Sequence, residues 1–389
     1  MLAGRALRGF VDGYVAVLLP AYLIALGLDP FDVGLLGSAT LAGSALATLV
    51  LGAIGHRWPQ RKLLLAAALL MAATGAAFAG AASFWPLLVV AFVGTLNPSS
   101  GDVSVFIPLE HARLASAASG HARTALFARY SLAGSLAAAL GALAAVVPPW
   151  LAAHAGVPLL TGLRAMFALY GVAGLVIWGL YRGLPAAADG ALAAPAPLGP
   201  SRAIVVRLAA LFSIDAFAGG LVVNSLLALW LFQRFGLTLG QAGSFFFVTG
   251  LLAAGSQLAA VPVARKIGLL RTMVYTHIPA NLCLVAAALV PTLPLALALL
   301  FVRSALSQMD VPTRTAFVMA VVTPAERTAA ASFTAVPRSL ASAASPALAG
   351  AWLAAGWLAA PLVACGVLKV AYDLAVLAAF RKVRPVESD

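Results

Sequence analysis

The chain has 389 residues, 63% of them hydrophobic and 9% charged, with a formal net charge of +12. A soluble chain carries about 25% charged residues, so this composition excludes a soluble enzyme and leaves lipid as the solvent. At roughly 20 residues per crossing, a dozen spans use up the length and leave no room for a soluble catalytic domain.

Long stretches that are apolar on every face follow one another along the chain, as lipid-immersed helices do. Spans are predicted at 7–28, 33–55, 62–82, 85–111, 121–148 and 158–181, then at 204–233, 238–264, 270–290, 292–318, 327–355 and 357–380. Met1 leads almost directly into the first span, which carries no small-residue cleavage site and is expected to stay. Tight turns such as Gly27-Leu28-Asp29-Pro30 and Pro291-Thr292-Leu293-Pro294 punctuate the series. A Pro- and Ala-rich gap at 183–203 divides it into two sets of six. The expected fold is therefore an all-α polytopic membrane protein, with twelve transmembrane helices in two pseudo-symmetric six-helix bundles. Residues 1–182 form the first bundle, 183–203 a cytoplasmic linker and 204–389 the second bundle.

On a soluble chain the excess of base would suggest nucleic acid, but no aromatic-interleaved basic patch accompanies it. Most of the basic residues, Arg57, Arg61, Lys62, Arg265, Lys266 and Arg271 among them, fall at one predicted face, and only Arg164 and Arg234 lie near the other. The positive-inside rule makes the first face cytoplasmic and puts both termini there. Cys283 and Cys365 lie in different spans without metal-ligand spacing, so they are read as packing residues.

The halves repeat. RALRGFVDGY at residue 5 is matched by RLAALFSIDAF at residue 207, which aligns Asp12 with Asp215. Asp102 in span four finds Asp310 in span ten, and Arg129 in span five finds Arg338 in span eleven. An ordered set of matches at one offset signals a duplicated unit.

Two six-span halves, a central linker and cytoplasmic termini resemble the major facilitator superfamily. The loop after span two carries the best local motif, Gly52-Ala-Ile-Gly-His56-Arg57-Trp-Pro59-Gln60-Arg61-Lys62. Gly52, Arg57 and Arg61 match the family's G-x-x-x-D-R-x-G-R-R/K, while His56 stands where the family has an acid and Pro59 where it has glycine. The resemblance implies a cytoplasmic gate loop here, with Lys62 at its end. The first span, Asp12 through Pro20, is loosely similar to that of the family's drug/proton antiporters. Span five holds Gly134 and Gly141 but lacks their Gly-Pro-x-x-Gly-Gly run.

Charge inside lipid marks the chemistry. Asp12, Asp102, Arg129, Asp215, Asp310, Arg303 and Arg338 lie within spans. Each costs about 2.5–3.5 kcal/mol at the bilayer centre, on the order of 20 kcal/mol together if unpaired. Each half offers two acids and one guanidinium at similar depth. One acid can pair with the arginine, and the other is left to carry a proton. The charge network is thus expected to be Asp12, Asp102, Arg129, Asp215, Asp310 and Arg338. Asn97-Pro98-Ser99-Ser100-Gly101-Asp102 and Ser307-Gln308-Met309-Asp310-Val311-Pro312 predict breaks in spans four and ten. Such breaks are sequence signs of a transporter's binding site, and Asn97, Ser100, Asn224, Arg303 and Gln308 are the candidate cavity residues. Tyr14 and Tyr130 are read as helix packing, Gln257 and His277 as polar contacts between helices, and Glu110, His111, Arg113, His121 and Arg123 as a solvated cytoplasmic face. Arg314 is placed near a helix end, where it can snorkel, with a cavity position beside Thr313 and Asp310 as the alternative.

The function expected is secondary active transport of a small organic solute by alternating access, as proton-coupled efflux. Uptake or exchange of a small organic anion is the alternative, and a non-transporting membrane sensor of the same fold is a reading from another class. An enzyme is disfavoured, since the chain has no H-E-x-x-H, G-x-S-x-G or phosphate-loop motif. A channel is disfavoured because duplicated halves with buried charge suit a carrier better. The expected partners are a small-molecule substrate, protons and the lipid bilayer of the cell's inner membrane, with no cofactor, no metal and no nucleic acid, for a protein working as a monomer.

Overall fold

Lipid offers the backbone no hydrogen-bond partner, so a chain this apolar must satisfy its peptide groups within helices. The structure, a computed structural model, describes residues 1–97, 99, 104–117, 120–185, 199–323 and 326–381, with side chains except at 53, 54, 56, 115–117, 120–125, 327–329 and 332. In chain order come α1 (Leu2–Ala25), α2 (Pro30–Ile54), α3 (Gln60–Gly80), α4 (Phe84–Val93), α5 (Phe106–Ala117), α6 (Gly120–Leu143), α7 (Val147–Ala155) and α8 (Leu159–Arg182). There follow α9 (Arg202–Gly220), α10 (Asn224–Phe235), α11 (Leu239–Ile267), α12 (Leu269–Leu289), α13 (Leu293–Ser307), α14 (Asp310–Val321), α15 (Arg327–Ala354) and α16 (Ala360–Phe380). Local chemistry sets several ends. Asp29 and Asp32 close a reciprocal capping box at the start of α2, with Pro30 in its first turn. Gly236 ends α10 in the left-handed region at φ 66°.

Ten segments among the described residues are long and apolar enough to cross a membrane. The protein is an all-α, multi-pass membrane protein. The predicted fourth span is not one helix: α4 is only 10 residues long, and the chain from Gly94 to Asn97 leaves helical geometry. The predicted eleventh span is a helix of 28 residues, α15. The expected interruption of span ten is present, since α13 stops at Ser307 and α14 starts at Asp310. A third interruption was not foreseen. It falls at Leu221–Val223 between α9 and α10, directly after Gly219-Gly220, a pair of poor helix formers.

The chain clusters into two compact units. The first comprises the described parts of Met1–Leu192, Val223–Phe247 and Pro346–Ala354; the second comprises those of Ala193–Val222, Val248–Ser345 and Ala355–Asp389.

In the first unit α1 is the central helix, with 78% of its span buried against 22% for the α11 span. It lies against α6 backbone to backbone. A Cβ on Gly9 would strike the Gly134 carbonyl, one on Gly13 the Ala138 carbonyl, and one on Gly141 the Phe10 carbonyl. Small residues four apart are how membrane helices approach this closely. The same device joins α3 to α8 at Gly75, Gly171 and Gly174, and brings Gly350 of α15 onto Gly34 of α2.

In the second unit α9, α12, α14 and α16 enclose an apolar core of Val205, Leu208, Phe212, Met273, Phe317 and Val376. Gly366 of α16 meets the Asn281 carbonyl of α12, so these two helices also touch through a glycine.

Candidate functional site

Among the described residues, both units bury charged side chains. In the first, Arg8 of α1 extends to Glu110 of α5, and the two are 3% and 0% exposed. The guanidinium donates from Nη1 to Oε1 at 2.6 Å and from Nη2 to Oε2 at 2.5 Å, a bidentate fork. The Tyr130 and Tyr181 hydroxyls, from α6 and α8, donate to the same carboxylate. Arg8 also donates to the Tyr181 oxygen at 3.1 Å, and its guanidinium lies over the Phe106 ring at 4.2 Å. Four helices therefore meet on one carboxylate with four donors. Removing one member of such a pair leaves an uncompensated buried charge, at about 3–5 kcal/mol.

Beside this pair sit Arg5 and Asp12, about one turn of α1 before and one turn after Arg8. Both the Arg8 and Arg5 guanidiniums act electrostatically on Asp12. Arg5 lies 5.4 Å from the centre of the Tyr130 ring. It occupies the space a side chain on residue 134 would need, since a Cβ there would meet Arg5 Nε and Cζ. Gly134 thus serves the charge cluster as well as the helix contact.

In the second unit Asp215 of α9 is the hub. Its Oδ2 accepts from Arg314 Nη1 of α14 at 2.8 Å, and its Oδ1 from Lys369 Nζ of α16 at 2.5 Å. Arg314 also holds Asp310, one helical turn back, at 3.1 Å, and packs over the Phe212 ring at 5.5 Å. Next to this network, His277 of α12 pairs with Asp373 of α16. Its Nδ1 stands 3.0 Å from both carboxylate oxygens.

The fold places the expected residues in different settings. Asp215 and Asp310 are buried and brought together by Arg314, which lies in the core of the network at 5% exposure rather than at a solvent-reaching helix end. Arg129 and Arg338 are both exposed, so the arginines that bind the buried acids are Arg8 and Arg314. Asp102 and Ser100 lie outside the described residues. Asn97 is buried, and its Oδ1 accepts from the Ser99 N–H at 3.2 Å and the Ser99 hydroxyl at 2.8 Å, a local turn. Asn224 is half-buried at the first turn of α10, directly after the unforeseen interruption. Gln308 accepts from Gln257 at 3.4 Å. Arg303 is half-buried on α13, and its Nε is enclosed without an acceptor among the described residues.

Glu110 and Arg113 do not form a solvated face. Both are buried because α5 turns them inward, Glu110 onto Arg8 and Arg113 onto the Pro185 carbonyl at 2.5 Å. The side chains of His121 and Arg123 lie outside the described set. Tyr130 is a ligand of the buried carboxylate rather than simple packing, whereas Tyr14 does tie helices, donating to the Met166 carbonyl at 3.0 Å.

Lys369 and Asp373 were not singled out in the sequence. Two opposite charges four residues apart in an apolar span were the available signal. Glu326 was also missed. It accepts from the Gly199 and Ser201 N–H groups and the Thr323 hydroxyl. Hydrogen bonds from Ser201 and Thr323 hold this loop carboxyl down at about 2.

In the proposed gate loop, Gly52, Arg57 and Lys62 are exposed, and the His56 side chain lies outside the described set. Arg61 reaches across to the Arg182 carbonyl at the end of α8, a favourable place for a cation. Cys283 is half-buried and Cys365 buried, both free.

Residues 1–308 match the family model of the Major Facilitator Superfamily. The uncharacterized membrane protein YJR124C of Saccharomyces cerevisiae is 23% identical over an alignment covering 96% of this chain and 92% of the yeast protein. Among solved structures, a bacterial homolog of the human lysosomal transporter Spinster, inward-facing and occupied, matches with a TM-score of 0.78 at 16% identity, covering 100% of this chain and 97% of that one. The nucleoside transporter NupG matches with a TM-score of 0.74 at 14% identity, over 98% of each chain. Identities this low speak for a shared fold.

Proposed function

From the premise that the chain belongs to the major facilitator superfamily, and is a transporter rather than an enzyme, we propose that it moves a small organic solute by alternating access, as proton-coupled efflux. In this reading the helices and helix pairs make twelve crossings in two six-helix bundles, 1–182 and 204–389, joined by a cytoplasmic linker. Both termini face the cytoplasm of a cell whose inner membrane holds the protein as a monomer.

One observation carries the reading. Asp215 is shared between cations on two other helices, Arg314 and Lys369, deep within an apolar unit. Proteins that only need stability do as well with apolar packing as with a buried ionic cluster. A carrier gains from one, because partners that can be exchanged or protonated bias two states of nearly equal energy. Interruptions between α9 and α10 and between α13 and α14, beside this cluster in sequence, add the kind of broken helix from which transporters build solute sites. Asp12 is the matching acid of the first half, and Asp102, Arg129 and Arg338 complete the proposed set. Gly52, His56, Arg57, Arg61 and Lys62 supply the gate loop, and Asn97, Ser100, Asn224, Arg303 and Gln308 the solute cavity.

A second reading, transport of a small organic anion, draws on Arg303, whose enclosed Nε lacks an acceptor among the described residues. A guanidinium in that condition suits a carboxylate or phosphate.

The experiment begins with a thermal-shift screen of the purified protein against metabolites and drugs, since a ligand of the folded state raises its melting temperature. Hits are then tested in proteoliposomes with a lumenal pH indicator. Solute entry that alkalinises the lumen is the result expected for exchange against protons. Acidification, or entry without a pH change, overturns the proposal and favours the anion reading.

A further inference from the structure

His277 and Asp373 lie next to the Asp215 network yet form no part of it. They are 4% and 2% exposed, and the pair joins α12 to α16. The surrounding groups sort by helix. On α16 itself, Lys369 is bound to Asp215, and Tyr372 sets its ring edge-on to the imidazole at 6.3 Å. From α9 comes Asp215 and from α14 come Asp310 and Arg314, the arginine already holding both acids. The charges acting on Asp373 include His277 and the carboxylates Asp215 and Asp310, while Arg303 of α13 and Arg338 of α15 belong to the same unit. The pair therefore lies beside acids whose nearest cations, Lys369 and Arg314, are engaged with Asp215.

Chemistry distinguishes the members of this cluster. Guanidinium and ammonium groups stay charged through the physiological range, whereas imidazole is the side chain that ordinarily changes charge between about pH 5 and 8. A neutral His277 can donate Nδ1–H to Asp373. A second proton, taken from water at Nε2, converts that hydrogen bond into an imidazolium–carboxylate pair without breaking it. The Nδ1 position, equidistant from the two oxygens, suits both forms.

We infer that the His277–Asp373 pair is a proton-binding site of the transport cycle, separate from Asp12 and from the Asp215 network and coupled to the latter through α16. The coupling is short. Lys369 precedes Asp373 by four residues, one helical turn on the same face, and His277 acts electrostatically on Asp215. A proton gained on the imidazole adds a third cation to a cluster in which Lys369 and Arg314 already compete for Asp215, and this favours an arrangement with Lys369 less tightly held. The inference rests on the proton-coupled reading given above.

The test uses the purified full-length chain in detergent, with the proton as the only ligand. Protons taken up per chain are counted in weakly buffered solution as the pH is stepped from about 8 to about 5. His277→Gln should bind about one proton fewer than the wild type, the other four histidines cancelling in the comparison. His277→Lys, which supplies a fixed cation to Asp373 and guards against a folding defect in the glutamine variant, should show the same deficit. In proteoliposomes the lysine variant should keep solute exchange and lose net flux driven by a pH gradient. Equal proton counts in all three proteins overturn the site. A one-proton deficit in protein whose wild-type flux ignores an imposed pH gradient overturns its part in the cycle, together with the proton coupling proposed for the carrier.

Discussion

Glu110 and Asp215 are both buried carboxylates that hold an arginine, and their surroundings could hardly be less alike. Glu110 is saturated. One guanidinium grips it with both arms and two tyrosine hydroxyls complete it. Its oxygens have no reason to leave. Asp215 is divided between Arg314 and Lys369, and Arg314 is divided again between Asp215 and Asp310. Asp215 and Arg314 each divide themselves between two partners. The contrast teaches that burial and pairing alone do not mark a working site. Saturation by donors of several helices makes a fastening, whereas shared and competing partners make something that can be rearranged at small cost.

Four measurements would sharpen or break this contrast. The largest effect is expected for Glu110→Gln, which strands Arg8 in the apolar interior and should lower folding stability by about 3–5 kcal/mol, seen as a large drop in the melting temperature of detergent-solubilised protein. An unchanged melting temperature would show that the first cluster fastens nothing. Gly134→Ala drives a methyl group into Arg5 and should cost about 1–3 kcal/mol by overpacking, read from the same melting curves; a neutral result would mean that Arg5 has somewhere else to go. Asp12→Asn should leave the protein folded and inserted while lowering proton-driven flux at least about tenfold, equivalent to about 1.4 kcal/mol. Full flux in this variant would take Asp12 out of the proposed site. The smallest change in stability, within about 0.5 kcal/mol, belongs to Arg129→Lys, because Arg129 is exposed. Flux should nevertheless fall if a planar fork is what holds its acidic partner, and wild-type rates would remove Arg129 from the proposed charge network.

Sequence alone revealed the membrane class and the family resemblance because both rest on composition and on order along the chain, which apolar helices display directly. It also singled out Asp215 and Asp310, since an acid in an apolar stretch is costly wherever it points. It failed where direction mattered. Arg8, Glu110 and Arg113 lie near the ends of their spans, and a charge there reads as solvated unless one knows which way the helix is turned; α5 turns Glu110 and Arg113 inward. Arg129 and Arg338 are mid-span in sequence and exposed in the fold, and the order of residues does not show which way they face. The interruption after Gly219-Gly220 was legible in principle. It was passed over because no proline marks it, whereas Pro98 and Pro312 drew the eye to spans four and ten.

The seam of glycines between α1 and α6 has a mechanical consequence. With Gly9, Gly13 and Gly141 bringing the two main chains together, there is no layer of side chains between them to act as a bearing. Neither rod can roll or slide past the other without driving peptide groups into collision. Whatever displacement accompanies turnover must therefore move α1 and α6 as a single beam, and Asp12, Arg5 and Tyr130 travel on it as passengers in fixed seats.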